Sequence, residues 1–148
     1  MPEKEIFKRV AQIGLVVSDL DATIDQYENF GIGPWKTHNI QASDIHGPDK
    51  FTGEKDYAVK IALAKIGDIE IELIQPLDNK SEYAEFLKEK GGGLHHLAFL
   101  TEDLDSVLEL CSDKGIKPLP ESAPPLFSYI DTGKKLGFPI EVFNMKFT

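Results

Sequence analysis

Four side chains of this sequence have the chemistry to hold one divalent metal ion: Gln12, Glu72, His96 and Glu141. Each lies in an apolar run of strand length, where a plain hydrophobic core would not place a polar group. An imidazole nitrogen, an amide oxygen and two carboxylates suit Zn²⁺, Ni²⁺, Co²⁺, Mn²⁺ or Fe²⁺. Two carboxylates also neutralise a 2+ charge, whereas two buried glutamates without a cation would be costly to desolvate.

An internal repeat relates the four positions. Residues 12–32 align with residues 96–116 without a gap, and both copies change from strand period to helix period at the same place. The alignment pairs Gln12 with His96. The Ile-Glu-Leu at 71–73 likewise pairs with the Ile-Glu-Val at 140–142, so that Glu72 matches Glu141. Each half therefore supplies one neutral ligand and one carboxylate.

Each copy predicts a βαβββ unit. A strand is followed by an aspartate that can cap a helix, Asp19 or Asp103, and the helix ends at Gly31 or Gly115. The predicted strands are 10–17, 34–40, 57–66 and 69–75 in the first half, and 94–100, 116–119, 126–131 and 138–143 in the second. Residues 41–55 are expected to be a loop, 67–68 a hairpin turn, 79–90 a linking helix that ends at Gly91–Gly93, and 132–137 a turn.

Other polar residues have simpler interpretations. His95 points to the opposite strand face from His96 and is expected to be structural. Glu70 competes with Glu72 for the ligand role, although a solvated edge is its simpler place. Cys111 lies on the apolar face of a helix and is expected to pack in the core. Trp35, Phe127 and Tyr129 could line a pocket, although core packing explains them more simply.

Composition restricts the class of protein. The chain has 148 residues, of which 41% are apolar and 28% charged, with a single cysteine and a formal net charge of −9. The acidic balance argues against a nucleic-acid partner, which needs a basic face. No apolar run approaches the length of a membrane span, and the N-terminal residues lack the pattern of a signal peptide. These features predict a cytoplasmic protein with no membrane partner.

From residue 10 to residue 143, the chain resembles the vicinal oxygen chelate superfamily, also called the glyoxalase/bleomycin-resistance/dioxygenase group. The resemblance rests on the segments at 12–21, 71–77, 93–98 and 139–142. It implies an α+β fold in which two tandem βαβββ modules form a pseudo-twofold, cleft-containing curved sheet. The modules would span about 8–78 and 93–146 of one domain, 1–148, with the linker helix at 79–90 between them.

The resemblance also implies an activity. Both candidate branches transfer a proton next to a metal-bound carbonyl of a carbonyl or thioester substrate, with Glu141 and Glu72 as the catalytic carboxylates. The segments at 71–77 and 93–98 are similar to methylmalonyl-CoA epimerases, which usually carry His where this chain has Gln12. The ligand set Gln, Glu, His, Glu is similar to glyoxalase I, the lactoylglutathione lyase. Many relatives are homodimers, so the resemblance also implies that this protein is a homodimer.

Two further readings stay open within the same superfamily. A ring-cleaving dioxygenase generally uses two His and one Glu on iron, whereas this set holds one His. A non-catalytic small-molecule-binding protein of the bleomycin-resistance type has no reason to keep two inward carboxylates.

Overall fold

The computed structural model describes residues 6–47, 51, 53–119, 122 and 125–147. The chain divides into two compact units: a continuous unit, Ile13–His95, and a discontinuous unit made of Met1–Gln12 and His96–Thr148. Strands β1 (Arg9–Val16) and β5 (Gly93–Thr101) each begin in one unit and end in the other. Among the described residues, no helix has the length and apolar character needed to cross a membrane.

The continuous unit has the strand order β2-β3-β4-β1, in which β2 and β3 form one antiparallel pair and β3 and β4 form another. Its further elements are α1 (Leu20–Asn29), β2 (Lys36–Gln41), α2 (Ala42–His46), β3 (Ala58–Ile66), β4 (Ile69–Pro76) and α3 (Glu82–Lys90). The expected hairpin at Gly67-Asp68 is confirmed, because Ile66 and Ile69 are paired directly across it. An apolar cluster among its described residues contains Val16, Ala42, Tyr57, Val59, Ile61, Ile74 and Tyr83.

The discontinuous unit has the strand order β1-β5-β7-β6. Its further elements are α4 (Leu104–Asp113), β6 (Phe127–Ile130), α5 (Gly133–Leu136) and β7 (Ile140–Asn144). Strands β5 and β7 are parallel, whereas β6 and β7 are antiparallel. Leu104, Val107, Ile130 and Val142 form the buried core, and Cys111 packs against it. The expected core position of Cys111 is therefore confirmed, and burial raises the pKa of its thiol.

The two predicted capping aspartates begin their helices as expected. Asp19 Oδ1 accepts the Ala22 N–H at 3.1 Å, and Asp103 Oδ1 accepts the Ser106 N–H at 3.0 Å. Each bond satisfies an N–H that has no partner within the helix, and each carboxylate lies at the positive end of the helix dipole. The caps therefore fix where α1 and α4 begin after the strand that precedes each of them.

Helix α3 begins and ends where the sequence requires it to. Ser81 is the N-cap and accepts the Ala84 N–H at 3.0 Å. Gly91 ends the helix in the left-handed conformation, at φ 76°. A Cβ at Gly92 would lie 2.9 Å from the Val16 carbonyl oxygen, closer than carbon and oxygen tolerate. Gly92 therefore allows the backbone of Val16 to lie close to it. Gly93 has no such neighbour, because no atom lies within 4 Å of its Cβ position.

Asp56 holds the start of helix α2. Its Oδ1 accepts the Ser43 N–H and its Oδ2 accepts the Ser43 hydroxyl, both at 2.8 Å. The Gln41 amide also donates to Oδ2, at 3.2 Å. The Ser43 N–H, followed by the Ser43 hydroxyl, lowers the Asp56 pKa below its ordinary 3.8, because both bonds favour the charged carboxylate.

Three local predictions were wrong. The expected strand at 116–119 is a single bridge between Pro118 and Ile130, flanked by the bonds from the Leu119 N–H to the Tyr129 carbonyl and from the Asp131 N–H to the Lys117 carbonyl. The expected loop at 41–55 begins as α2, because Asp56 satisfies the Ser43 N–H at its first turn. Residues 48–50 and 52 of that segment lie outside the described residues. The turn at 132–137 contains the one-turn helix α5.

Candidate metal centre

Three of the four predicted metal ligands meet at one atom in the discontinuous unit. His96 Nε2 lies 3.2 Å from Gln12 Oε1 and 3.1 Å from Glu141 Oε2. His96 is fully buried, and Gln12 and Glu141 are only 5% and 4% exposed. The structure therefore brings together an imidazole, an amide and a carboxylate away from water.

Neighbouring strands place these three side chains. Gln12 lies on β1, His96 on β5 and Glu141 on β7, and these strands are adjacent in the order β1-β5-β7. Alternation along β5 puts His96 and Ala98 on the same face, and Ala98 pairs with Glu141 in the parallel register. Ala98 is fully buried, so its small side chain limits crowding beside the two ligands.

The three converging atoms have too few protons to satisfy one another. The amide oxygen of Gln12 and the ionised carboxylate of Glu141 are both acceptors. His96 Nε2 carries at most one proton, so it can donate to only one of these two oxygens at a time. A divalent cation, in contrast, accepts a lone pair from all three atom types at once.

The separations also fit a metal shell. Ligand bonds of about 2.0–2.2 Å place neighbouring ligand atoms roughly 3 Å apart, as His96 Nε2 is from Gln12 Oε1 and Glu141 Oε2. Among the residues described, no three His, Cys, Asp or Glu side chains are grouped closely enough for a metal. The convergent set therefore depends on the amide of Gln12.

The fourth predicted ligand belongs to the continuous unit. Glu72 is half-buried in the middle of β4, where it pairs with Leu63 of β3. Glu70 is also half-buried and pairs with Lys65. Both glutamates point to the same face of β4, because they are two residues apart in a strand.

His95 has the surroundings of a structural residue. It is 1% exposed, and its Nε2 lies 3.4 Å from Glu82 Oε1. The rings of Tyr83 and Phe86 each lie 5.0 Å from its own. All three neighbours belong to α3, so His95 fixes the start of β5 to that helix.

Sequence reasoning left Tyr129 as a core or pocket residue, but the structure places it against the site. Its ring centroid lies 5.2 Å from that of His96 in an edge-to-face contact. Tyr129 on β6 also pairs directly with Glu141 on β7. The sequence could have indicated this pairing only if the length of the turn between the two strands had been known.

The comparison with known families identifies the class of protein. Residues 11–130 match the sequence profile of the Glyoxalase/Bleomycin resistance protein/Dioxygenase superfamily, and the chain belongs to this superfamily. The predicted α+β fold class is confirmed.

Several relatives of the chain are epimerases. The ethylmalonyl-CoA/methylmalonyl-CoA epimerase of Cereibacter sphaeroides is 26% identical over 117 residues, which are 78% of each chain. The uncharacterized protein YqjC of Bacillus subtilis is 38% identical over 63 residues, 43% of this chain and 45% of YqjC, so the match spans less than half of that protein. The crystal structure of methylmalonyl-CoA epimerase from Mycobacterium tuberculosis superposes with a TM-score of 0.72 at 24% identity, over 97% of this chain and 92% of that one.

Proposed function

We propose that this protein is a metal-dependent isomerase that moves a proton on the carbon next to a thioester carbonyl, as in the epimerisation of methylmalonyl-CoA. The convergence of Gln12, His96 and Glu141 at one buried atom carries the proposal. The epimerases among the relatives favour this chemistry over that of a lactoylglutathione lyase. They also favour a CoA thioester as the substrate class.

The proposed ligands are Gln12, Glu72, His96 and Glu141. The three in the discontinuous unit fit a cation by atom type and separation, and Glu72 is added by its repeat relation to Glu141. A divalent metal bound there supplies a Lewis acid that stabilises negative charge on the carbonyl oxygen of the substrate.

Glu141 is the proposed base. Its carboxylate, which is only 4% exposed, takes the proton from the carbon next to the carbonyl. An unperturbed glutamate carboxylate has a pKa of about 4.3, far below that of a carbon acid, so charge stabilisation at the carbonyl oxygen must supply most of the rate.

Epimerisation requires a second proton carrier. A base that returned the proton to the face from which it came would restore the original configuration. Inversion needs the proton to arrive on the opposite face, and Glu72 in its protonated form is the proposed donor. Glu141 would gain one proton and Glu72 lose one in each turnover, so Glu141 must release its proton to water and Glu72 must take one up before the next turnover.

Elemental analysis of protein purified without chelator tests the metal site, beside His96→Ala and the control His38→Ala, which removes an exposed histidine of β2. We expect about one divalent ion per chain in the wild type and in His38→Ala, with loss in His96→Ala. Absence of metal from the wild type, even after incubation with Zn²⁺, Ni²⁺, Co²⁺ and Mn²⁺, would contradict the proposal and leave a small-molecule-binding protein.

Conversion of methylmalonyl-CoA in D₂O tests the reaction. The proposal predicts deuterium at the carbon that carries the methyl group, together with interconversion of the two epimers. A metal-loaded protein that left this thioester unchanged but converted the adduct of glutathione and methylglyoxal would instead be a glyoxalase.

A further inference from the structure

Tyr129 is not among the proposed ligands, yet it is buried against one of them. Tyr129 is 5% exposed, and the angle between the planes of its ring and the His96 ring is 87°. The imidazole can present Nε2 to Gln12 and Glu141 only in one orientation of its plane. A ring packed against the imidazole restricts rotation out of that orientation.

The strand register brings Tyr129 close to a second proposed ligand. The Tyr129 N–H donates to Ser122 Oγ at 2.8 Å, and its carbonyl accepts the Leu119 N–H at 2.7 Å. The N–H and the carbonyl of Tyr129 therefore both point away from β7. Its pair with Glu141 on β7 is consequently a non-hydrogen-bonded pair. Side chains approach most closely in such pairs.

Ser122 fixes the position of Tyr129 in turn. It is 4% exposed, and its hydroxyl accepts the Tyr129 N–H while lying 3.2 Å from the Tyr129 carbonyl oxygen. One side chain thus contacts both polar backbone groups of a residue on the edge strand β6. Ser122 therefore satisfies the Tyr129 N–H, while the Leu119 N–H bonds to the Tyr129 carbonyl oxygen.

We infer that Tyr129 is a positioning residue of the proposed metal centre, whose ring holds the plane of the His96 imidazole, and that Ser122 holds Tyr129. The expected effect on metal affinity rests on the proposed function. The ordering of the His96 ring by the Tyr129 ring does not, because it applies to the metal-free protein as well.

The experiment compares Tyr129→Phe, which keeps the ring, with Tyr129→Leu, which removes it. Phe127→Leu is the matched control, because it removes another aromatic ring of β6. The Phe127 ring packs on Tyr129 and Phe143. The first measurement is the ¹⁵N–¹H correlation spectrum of the His96 ring in metal-free protein at fixed pH. We expect one tautomer with sharp signals in the wild type, Tyr129→Phe and Phe127→Leu, and averaged signals in Tyr129→Leu.

The second measurement is zinc affinity, by competition with a chromophoric chelator. Loss of a residue that orients a ligand typically costs about 10-fold or more in affinity, and we expect this for Tyr129→Leu but not for Tyr129→Phe or Phe127→Leu. Equal losses in Tyr129→Phe and Tyr129→Leu would overturn the role of the ring. So would wild-type spectra and affinity in Tyr129→Leu.

Two further results separate the possible failures. If the wild type binds none of Zn²⁺, Ni²⁺, Co²⁺ and Mn²⁺, the proposed function fails, and the His96 spectra alone decide the role of Tyr129. If Tyr129→Leu does not fold, Ser122→Ala replaces it, because it keeps the ring and releases its backbone. We then expect broadened His96 signals and weaker zinc binding, and unchanged spectra would overturn the inference.

Discussion

His96 Nε2 contacts two oxygens that differ in one respect, which is charge. Gln12 and Glu141 have similar shapes, but only the carboxylate can serve as a base or balance a cation. The proposal therefore predicts that substitution of Glu141 removes the base, whereas substitution of Gln12 removes only a neutral ligand. An exchange that keeps the shape of Glu141 and removes its charge isolates the chemical role from the packing role.

Glu141→Gln should lower turnover of methylmalonyl-CoA by about 10²-fold or more, the usual contribution of a general base. Deuterium incorporation from D₂O measures the loss directly, and metal content measured alongside shows whether binding is lost as well. Glu109→Gln is the control, since it makes the same exchange at an exposed position of α4. A Glu141→Gln protein with the wild-type rate would require a different base.

The internal repeat was enough to predict that Gln12 and His96 would meet, because the alignment placed these two polar residues at equivalent strand positions. The roles of Tyr129 and Ser122 could not be predicted in this way. Tyr129 depends on the register of β6 against β7, and Ser122 on a contact made outside any strand. The position of Glu72 relative to the other ligands remains a prediction.

At the scale of elements, the glycines between α3 and β5 allow a test of how closely the chain there approaches the backbone of β1. Gly92 and Gly93 both have left-handed φ angles, 98° and 112°, but only Gly92 lies against the Val16 carbonyl oxygen. Gly92→Ala should therefore destabilise the protein by at least 1–2 kcal/mol more than Gly93→Ala (about the cost of an overpacked contact). Urea unfolding of both variants measures the difference, and equal midpoints would show that the contact relaxes freely.

The bonds that Asp56 accepts from Ser43 predict a pH dependence. Because its folded pKa lies below the ordinary 3.8, its contribution to stability is present above that pH and is lost as the pH falls through the folded value. Asp56→Asn should therefore be less stable than wild type at pH 7, and the difference should shrink below pH 3.8. Asp25→Asn, at an exposed position of α1, is the control. Urea midpoints with a constant gap across this range would contradict the assignment.

Regular elements were predicted well where hydrophobic period, cap and glycine agreed, as in α1 and α4. The errors lie where a local pattern was overridden by a distant partner. Helix α2 depends on Asp56, which lies outside the segment. At 116–119 the apolar pattern suggested a strand, but the structure has only a bridge between Pro118 and Ile130.

At the scale of the whole molecule, metal binding should raise thermal stability. A ligand at 100 times its Kd stabilises the folded state by about 2.7 kcal/mol. For a domain of this size, this corresponds to a Tm increase of about 5–10 °C. Calorimetry with Zn²⁺ and with a chelator measures the shift, and His96→Ala should show none. An unchanged wild-type Tm would argue against a tight site.

The discontinuous unit has a consequence for the order of events on the ribosome. Gln12 and His96 are 84 residues apart. At roughly 5–20 residues per second, the amide waits about 4–17 s for its imidazole to be synthesised, and longer for Glu141. A centre built from these side chains cannot capture a metal while the first half of the chain emerges. Metal loading is therefore a late step, and a translation product that stops before β7 would be unable to complete it.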